Sequence, residues 1–138
     1  MDRIEIKRIE NSQSPYCRDF IRLPFRIYRG NSNWVPWFNK DIKSFLDRRH
    51  PLFEHTSGDF FVALNGNDPV GRIFVFENRR YNRTHSINSA CFYFVDFIDD
   101  REVAEKLFEA AVDWARARNL DGVAGPMGLG GVTGVGSV

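Results

Sequence analysis

The sequence predicts an α+β fold, close to α/β, with a mixed sheet and helices packed on its faces. Three stretches carry this prediction. "DFFVALN" and "PVGRIFVFEN" alternate apolar and polar residues on either side of a tight "GND" turn, which reads as a β-hairpin. "ACFYFVDFI" is apolar at nearly every position, as a strand covered on both faces must be. Between it and the short stretch "GVAGPM" lies an amphipathic segment with Val103, Leu107, Ala110, Ala111 and Trp114 at helical spacing. Strand, helix and strand in that order make a right-handed crossover. The last strand is therefore expected to run parallel to the central one and the others antiparallel.

The other elements follow in chain order. "RIEIKRI" alternates Ile4 and Ile6, with Ile9 as a further candidate, among charges, the pattern of a half-buried strand. Ser14 before Pro15 reads as an N-cap with proline at the first helical position, where a missing N–H costs nothing. Phe20, Ile21, Leu23, Ile27 and Tyr28 then recur at helical spacing, with Arg18, Arg22, Arg26 and Arg29 on the other side. Pro24 is expected to kink this helix and Gly30 to end it. A second helix is expected over about residues 39–48, stopped by Pro51, and "RRYNRTHSINS" reads as a polar loop. Asp99 and Glu102 are spaced as a capping box for the crossover helix, with Asn119 or Gly122 ending it. The expected order is β-α-α-β-β-β-α-β.

With 43% hydrophobic and 14% aromatic residues, 138 residues suffice for one core. One domain is expected over 1–127, followed by a flexible glycine-rich tail at 128–138. A formal charge of +1 supplies no field that selects nucleic acid or a membrane surface, so neither partner is expected. Cys17 and Cys91 have no metal-like or redox-like spacing, and His50 and His55 form no HExxH, so no metal is expected. No charged leader precedes an apolar run, and no apolar stretch nears the roughly 20 residues of a membrane helix, which together suggest a cytoplasmic protein.

The words "LPFRIYRGNSNWVP", "HPLFEH", "PVGRI" and "GPM", together with the element order, resemble a bacterial GNAT-like family over about residues 3–127. In the GNAT (acyl-CoA N-acyltransferase) fold the last parallel strand leads into a further helix and hairpin, and the resemblance implies that these are missing here. It also implies an acyltransferase domain that moves an acyl group, typically acetyl, from acyl-CoA to an amine of a small molecule or protein. The backbone of Phe94, Val95 and Asp96 would meet the pantetheine arm where the central and final strands splay. Glu54 or His55 is the candidate base, and Arg22, Arg26, Tyr28 and Trp34 are acceptor-side candidates.

In typical GNAT enzymes the turn after the central strand reads Arg/Gln-x-x-Gly-x-Gly/Ala, and its backbone N–H groups bind the coenzyme pyrophosphate. The corresponding turn here, "DFIDDREVA", has no glycine, and Asp96 to Glu105 carries a local charge of −4. Two carboxylates about 5 Å from a pyrophosphate would each cost about 1–3 kcal/mol at an effective dielectric of roughly 20–80, more than a helix dipole's ~0.3–1 kcal/mol returns. The same residues also read as a well-capped, exposed helix start. The alternative function is therefore a catalytically inactive module that keeps the fold for binding. An exposed edge on the last strand would suit homodimer formation.

Overall fold

The computed structural model describes residues 4–10, 13–27, 46–47 and 51–125. Five strands form one sheet whose spatial order follows the chain: β1 (Ile4–Ile9), β2 (Thr56–Asn65), β3 (Asp68–Asn78), β4 (Ser89–Phe97) and β5 (Gly122–Ala124). Neighbours are antiparallel except β4 and β5, which run parallel, as the crossover requires. Helices α1 (Cys17–Ile27), α2 (Arg79–His85) and α3 (Arg101–Ala117) complete the α+β architecture, with a 3-10 turn at Pro51–Glu54.

Hydrophobic burial divides between the two faces of the sheet. Phe20 and Ile21 of α1 pack with Phe60, Phe74, Phe76 and Tyr93 on one face. Val103, Leu107, Ala111 and Trp114 of α3 pack with Ala63, Ile73 and Val75 on the other. The apolar stripe expected for α3 is the one it buries, except that Ala110 is only half-buried and Ala115 takes a core position.

Three local expectations need correction or placement. The stretch read as a polar loop contains α2, whose first turn is capped by Asn78 Oδ1 accepting from Tyr81 N at 3.0 Å. Ser86 closes it in the left-handed region at φ 54°. Its residues lack an apolar stripe, so caps and not periodicity make this helix. The N-cap of α3 is Asp100 and not Asp99: Asp100 Oδ1 accepts from Glu102 N at 2.9 Å, so the expected Asp99–Glu102 box is not formed. Of the helix expected over 39–48, only Leu46 and Asp47 fall within the described residues, and Leu46 is helical and buried.

The hairpin between β2 and β3 turns at Gly66 and Asn67, with Gly66 at φ 65°, which suits the first central position of a two-residue loop. At Gly58, paired with Phe76, an added Cβ would lie 2.7 Å from the Val75 carbonyl oxygen and 2.8 Å from Phe76 Cβ. A backbone oxygen cannot rotate aside as a side chain can. Gly58→Ala is therefore expected to cost about 1–3 kcal/mol in urea denaturation. A loss under about 0.5 kcal/mol would show that β2 and β3 part there without strain.

Candidate functional site

The site is built on an irregularity in β4. Tyr93 pairs with Phe74 and Asp96 with Arg72, so β4 carries one residue more than β3 over this interval. The surplus is absorbed at Phe94, whose φ is 52°, an uncommon conformation for an aromatic residue. Cys91 and Tyr93 face α1, and regular alternation would turn Asp96 toward α3. The bulge shifts the phase: Phe94 also faces α1, Val95 faces α3, and Asp96 arrives beside Arg72.

Arg72 is 4% exposed and Asp96 8%, which makes theirs a buried ion pair, with Arg72 Nε donating to Asp96 Oδ2 at 2.9 Å. Arg72 Nη1 donates to the Phe20 carbonyl at 2.7 Å. The reason lies in α1. Pro24 stands four residues after Phe20 and has no N–H to donate back, so the helix alone leaves that carbonyl without its donor. The guanidinium supplies it, and lies 4.8 Å from the Phe20 ring centroid and 5.4 Å from that of Phe94. One side chain thus joins α1, β3 and the β4 bulge.

β5 approaches β4 at its other end. Its three residues pair with Ser89, Ala90 and Cys91. Its entry is fixed by Asp121 N donating to Asn88 O at 2.7 Å and Asn88 Nδ2 donating to Asn119 O at 2.8 Å. Upstream, α3 ends in a Schellman motif: Leu120 N donates to Ala115 O and Asn119 N to Arg116 O, both at 3.0 Å, with Asn119 at φ 60°. Asn119 is one of the two terminators expected from the sequence.

The first turn of α3 follows β4 directly. Ile98 N donates to Val70 O at 3.0 Å, Asp100 N to Ile98 O at 2.7 Å and Ala104 N to Asp100 O at 3.2 Å. Asp99, Asp100, Glu102 and Glu105 are exposed, and the Arg101 guanidinium is turned to Glu105 at 2.8 Å. The N–H groups of Asp100 and Glu102 are thus engaged internally and the surface of the turn is acidic, both of which oppose a coenzyme pyrophosphate.

The other predicted site residues are dispersed. Glu54 and His55 are exposed at the end of the sheet where β2 begins. Arg80 Nη2 lies 3.0 Å from His55 Nε2, and since a guanidinium only donates, that nitrogen accepts. Phe61 lies level with Ile73, opposite the bulge, so the stretch from His55 to Phe61 puts about 20 Å of strand between His55 and Phe94. The structure does not bring the two groups together. Arg22 is exposed on α1, whereas Arg26 is engaged by Asp68 of the hairpin, its Nη2 donating to Asp68 Oδ2 at 3.0 Å. That hydrogen bond holds the Asp68 carboxyl below the usual carboxylate range. Tyr28 and Trp34 lie outside the described residues.

Burial pushes the Cys91 thiol up, which suits a packing role in β4. Among the described residues no cluster of His, Cys, Asp or Glu could hold a metal ion, and no helix is long and apolar enough to cross a membrane. Sequence reasoning missed Arg72. The signal was a lone arginine inside "PVGRIFVFE", facing a helix that contains a proline.

On the α3 face, Asp59 is 8% exposed and accepts from Trp114 Nε1 at 2.8 Å. Arg8 Nη1 lies 3.4 Å from its Oδ1 and Arg118 Nη2 3.7 Å from its Oδ2. The Arg118 guanidinium also lies 3.9 Å from the centroid of the Trp114 ring.

No family model matches the chain. It is similar to a protein named bacterial ceramide synthase from Caulobacter vibrioides, at 32% identity over 112 residues, which is 80% of this chain and 29% of that protein. Protein YghO of Escherichia coli K12 is 27% identical over 110 residues, 80% of this chain and 28% of its own length. The chain thus spans less than a third of the curated relatives it matches. Solved structures share its fold. A GNAT-family acetyltransferase from Staphylococcus aureus Mu50 superposes with a TM-score of 0.59 at 17% identity, over 88% of this chain and 71% of that one. An aminoglycoside acetyltransferase from an uncultured soil metagenomic sample gives 0.62 at 18% identity, over 88% and 75%.

Proposed function

Since the chain has a GNAT-like fold, we propose that it is the thioester-binding part of an N-acyltransferase. The observation that carries this reading is the bulge at Phe94, three residues past the last described pair between β4 and the parallel strand β5. In the proposal the acyl thioester lies against the backbone of Phe94, Val95 and Asp96, and the amine enters from the α1 side, past Arg22 and Arg26. The similarity to a ceramide synthase supports a lipid-like acceptor, because a ceramide is the amide of a long-chain amino alcohol.

The reaction is direct transfer. The amine lone pair attacks the thioester carbonyl carbon and a C–N bond forms. The C–S bond then breaks, and the leaving thiolate takes up the proton that the nitrogen gives up. The chain's own contribution is to fix the reacting groups. Arg72 holds α1 and the β4 bulge in one body, so the acceptor side and the donor side keep their separation. Glu54 and His55 are given no role in this proposal, because they stand at the far end of the sheet.

The test is to incubate the chain with an acyl thioester and a long-chain amino alcohol and to follow both products by mass spectrometry. Amide and free thiol are expected in equal amounts. A thioester that binds without yielding amide would sink the enzymatic reading in favour of a second one, a catalytically silent binding module, for which the carboxylates at the start of α3 already speak.

A further inference from the structure

We infer that this domain recognises its acyl donor through a pantetheine-type arm and thioester and not through a nucleotide pyrophosphate, with Asp99 and Asp100 as the residues that set this preference. The inference rests on the proposed seating of the thioester along β4 and extends it to the donor's far end.

Geometry fixes where that far end goes. β5 flanks β4 at Ser89, Ala90 and Cys91, so a donor whose thioester sits at Phe94–Asp96 must run the other way, past Phe97 to the first turn of α3. Two independent features of that turn oppose a pyrophosphate. The first is hydrogen bonding. Of the N–H groups at the helix start, that of Asp100 is engaged by Ile98 O and that of Glu102 by Asp100 Oδ1. The Asp100 carboxylate thus occupies, on the Glu102 N–H, the place a phosphate oxygen would take.

The second feature is charge. Asp99, Asp100, Glu102 and Glu105 all reach solvent there, and the Arg101 guanidinium on the same turn points to Glu105. A doubly charged pyrophosphate would have to displace the cap and then sit among like charges. An arm that carries no nucleotide loses nothing by passing the same surface.

The experiment is a calorimetric titration of the 138-residue chain with acetyl-CoA and with S-acetylpantetheine, which share the arm and thioester but differ in the nucleotide. Wild type is expected to bind acetyl-CoA no more tightly than S-acetylpantetheine, and higher salt should favour acetyl-CoA by screening the repulsion. The variant Asp99→Asn/Asp100→Asn removes both charges but keeps an N-cap side chain, so it folds with α3 intact. It should gain about tenfold in affinity for acetyl-CoA and nothing for S-acetylpantetheine. Acetyl-CoA binding to wild type about tenfold more tightly than S-acetylpantetheine would overturn the inference. So would a double variant with unchanged acetyl-CoA affinity. If neither thioester binds, the acyltransferase reading itself falls, and this inference with it.

Discussion

Arg72→Met is expected to lower stability by about 3–5 kcal/mol, the usual consequence of removing one partner of a buried ion pair. The Asp96 carboxylate would stay in the interior without its guanidinium, and the Phe20 carbonyl would lose the donor that Pro24 cannot provide. The second loss is separable from the first. Pro24→Ala restores an N–H four residues after Phe20, so the helix itself can satisfy that carbonyl. In the Pro24→Ala background the same Arg72→Met change should therefore cost about 1 kcal/mol less, the net value of a typical hydrogen bond. Urea denaturation of the four proteins measures this coupling directly. If the two substitutions add to within about 0.3–0.5 kcal/mol, the guanidinium does not stand in for the missing helical donor.

Phe60→Ala should be of similar size, about 3–5 kcal/mol, by a different mechanism. Phe60 is fully buried, with its ring stacked on Phe74 at 4.3 Å and edge-on to Phe20 at 5.3 Å. It is the aromatic link between the middle of the sheet and α1. Truncation leaves a cavity between two layers that strands and a proline-containing helix cannot readily close. Phe60→Leu refills most of the volume and loses chiefly the ring geometry, so about 1–2 kcal/mol is expected. Thermal melts distinguish the two. Equal destabilisation by Ala and Leu would mean that packing volume at this position is not what holds α1.

Legibility in the sequence followed the physical signal available in each segment. The amphipathic stripe of α3 announces itself because one face is wet and the other dry, whereas β2 and β3 are largely buried on both faces and were legible from the tight turn that joins two β-prone runs. The parallel placement of β5 then follows from handedness. The bulge at Phe94 had no such signal, since "CFYFVDF" is apolar on both sides of the strand and a one-residue change of phase leaves no mark in a pattern without contrast. Asp96 was visible as a charge in an apolar strand, but its partner was not, because Arg72 and Asp96 meet only through that change of phase. The helix α2 was hidden for the opposite reason: no residue from Arg79 to His85 is aliphatic, the one it buries is the polar Asn82, and only Asn78 and Ser86 mark its limits. At the start of α3 two adjacent aspartates offered equivalent caps, and spacing alone preferred the wrong one.

Asp59 bears on how the chain reaches this structure. Its carboxylate is satisfied by Trp114, 55 residues downstream, and by Arg8, 51 residues upstream. The downstream segment brings both a donor, Trp114, and a counter-charge, Arg118, so burial of this group waits on the crossover helix, with Arg8 added from the first strand. A partly folded chain must keep Asp59 hydrated until the crossover helix has docked. The gain from closing that face therefore arrives late and all at once. Such a connection ties the start of β2 to the far end of the described chain, and it disfavours any stable intermediate in which the sheet has formed while the crossover helix is still undocked.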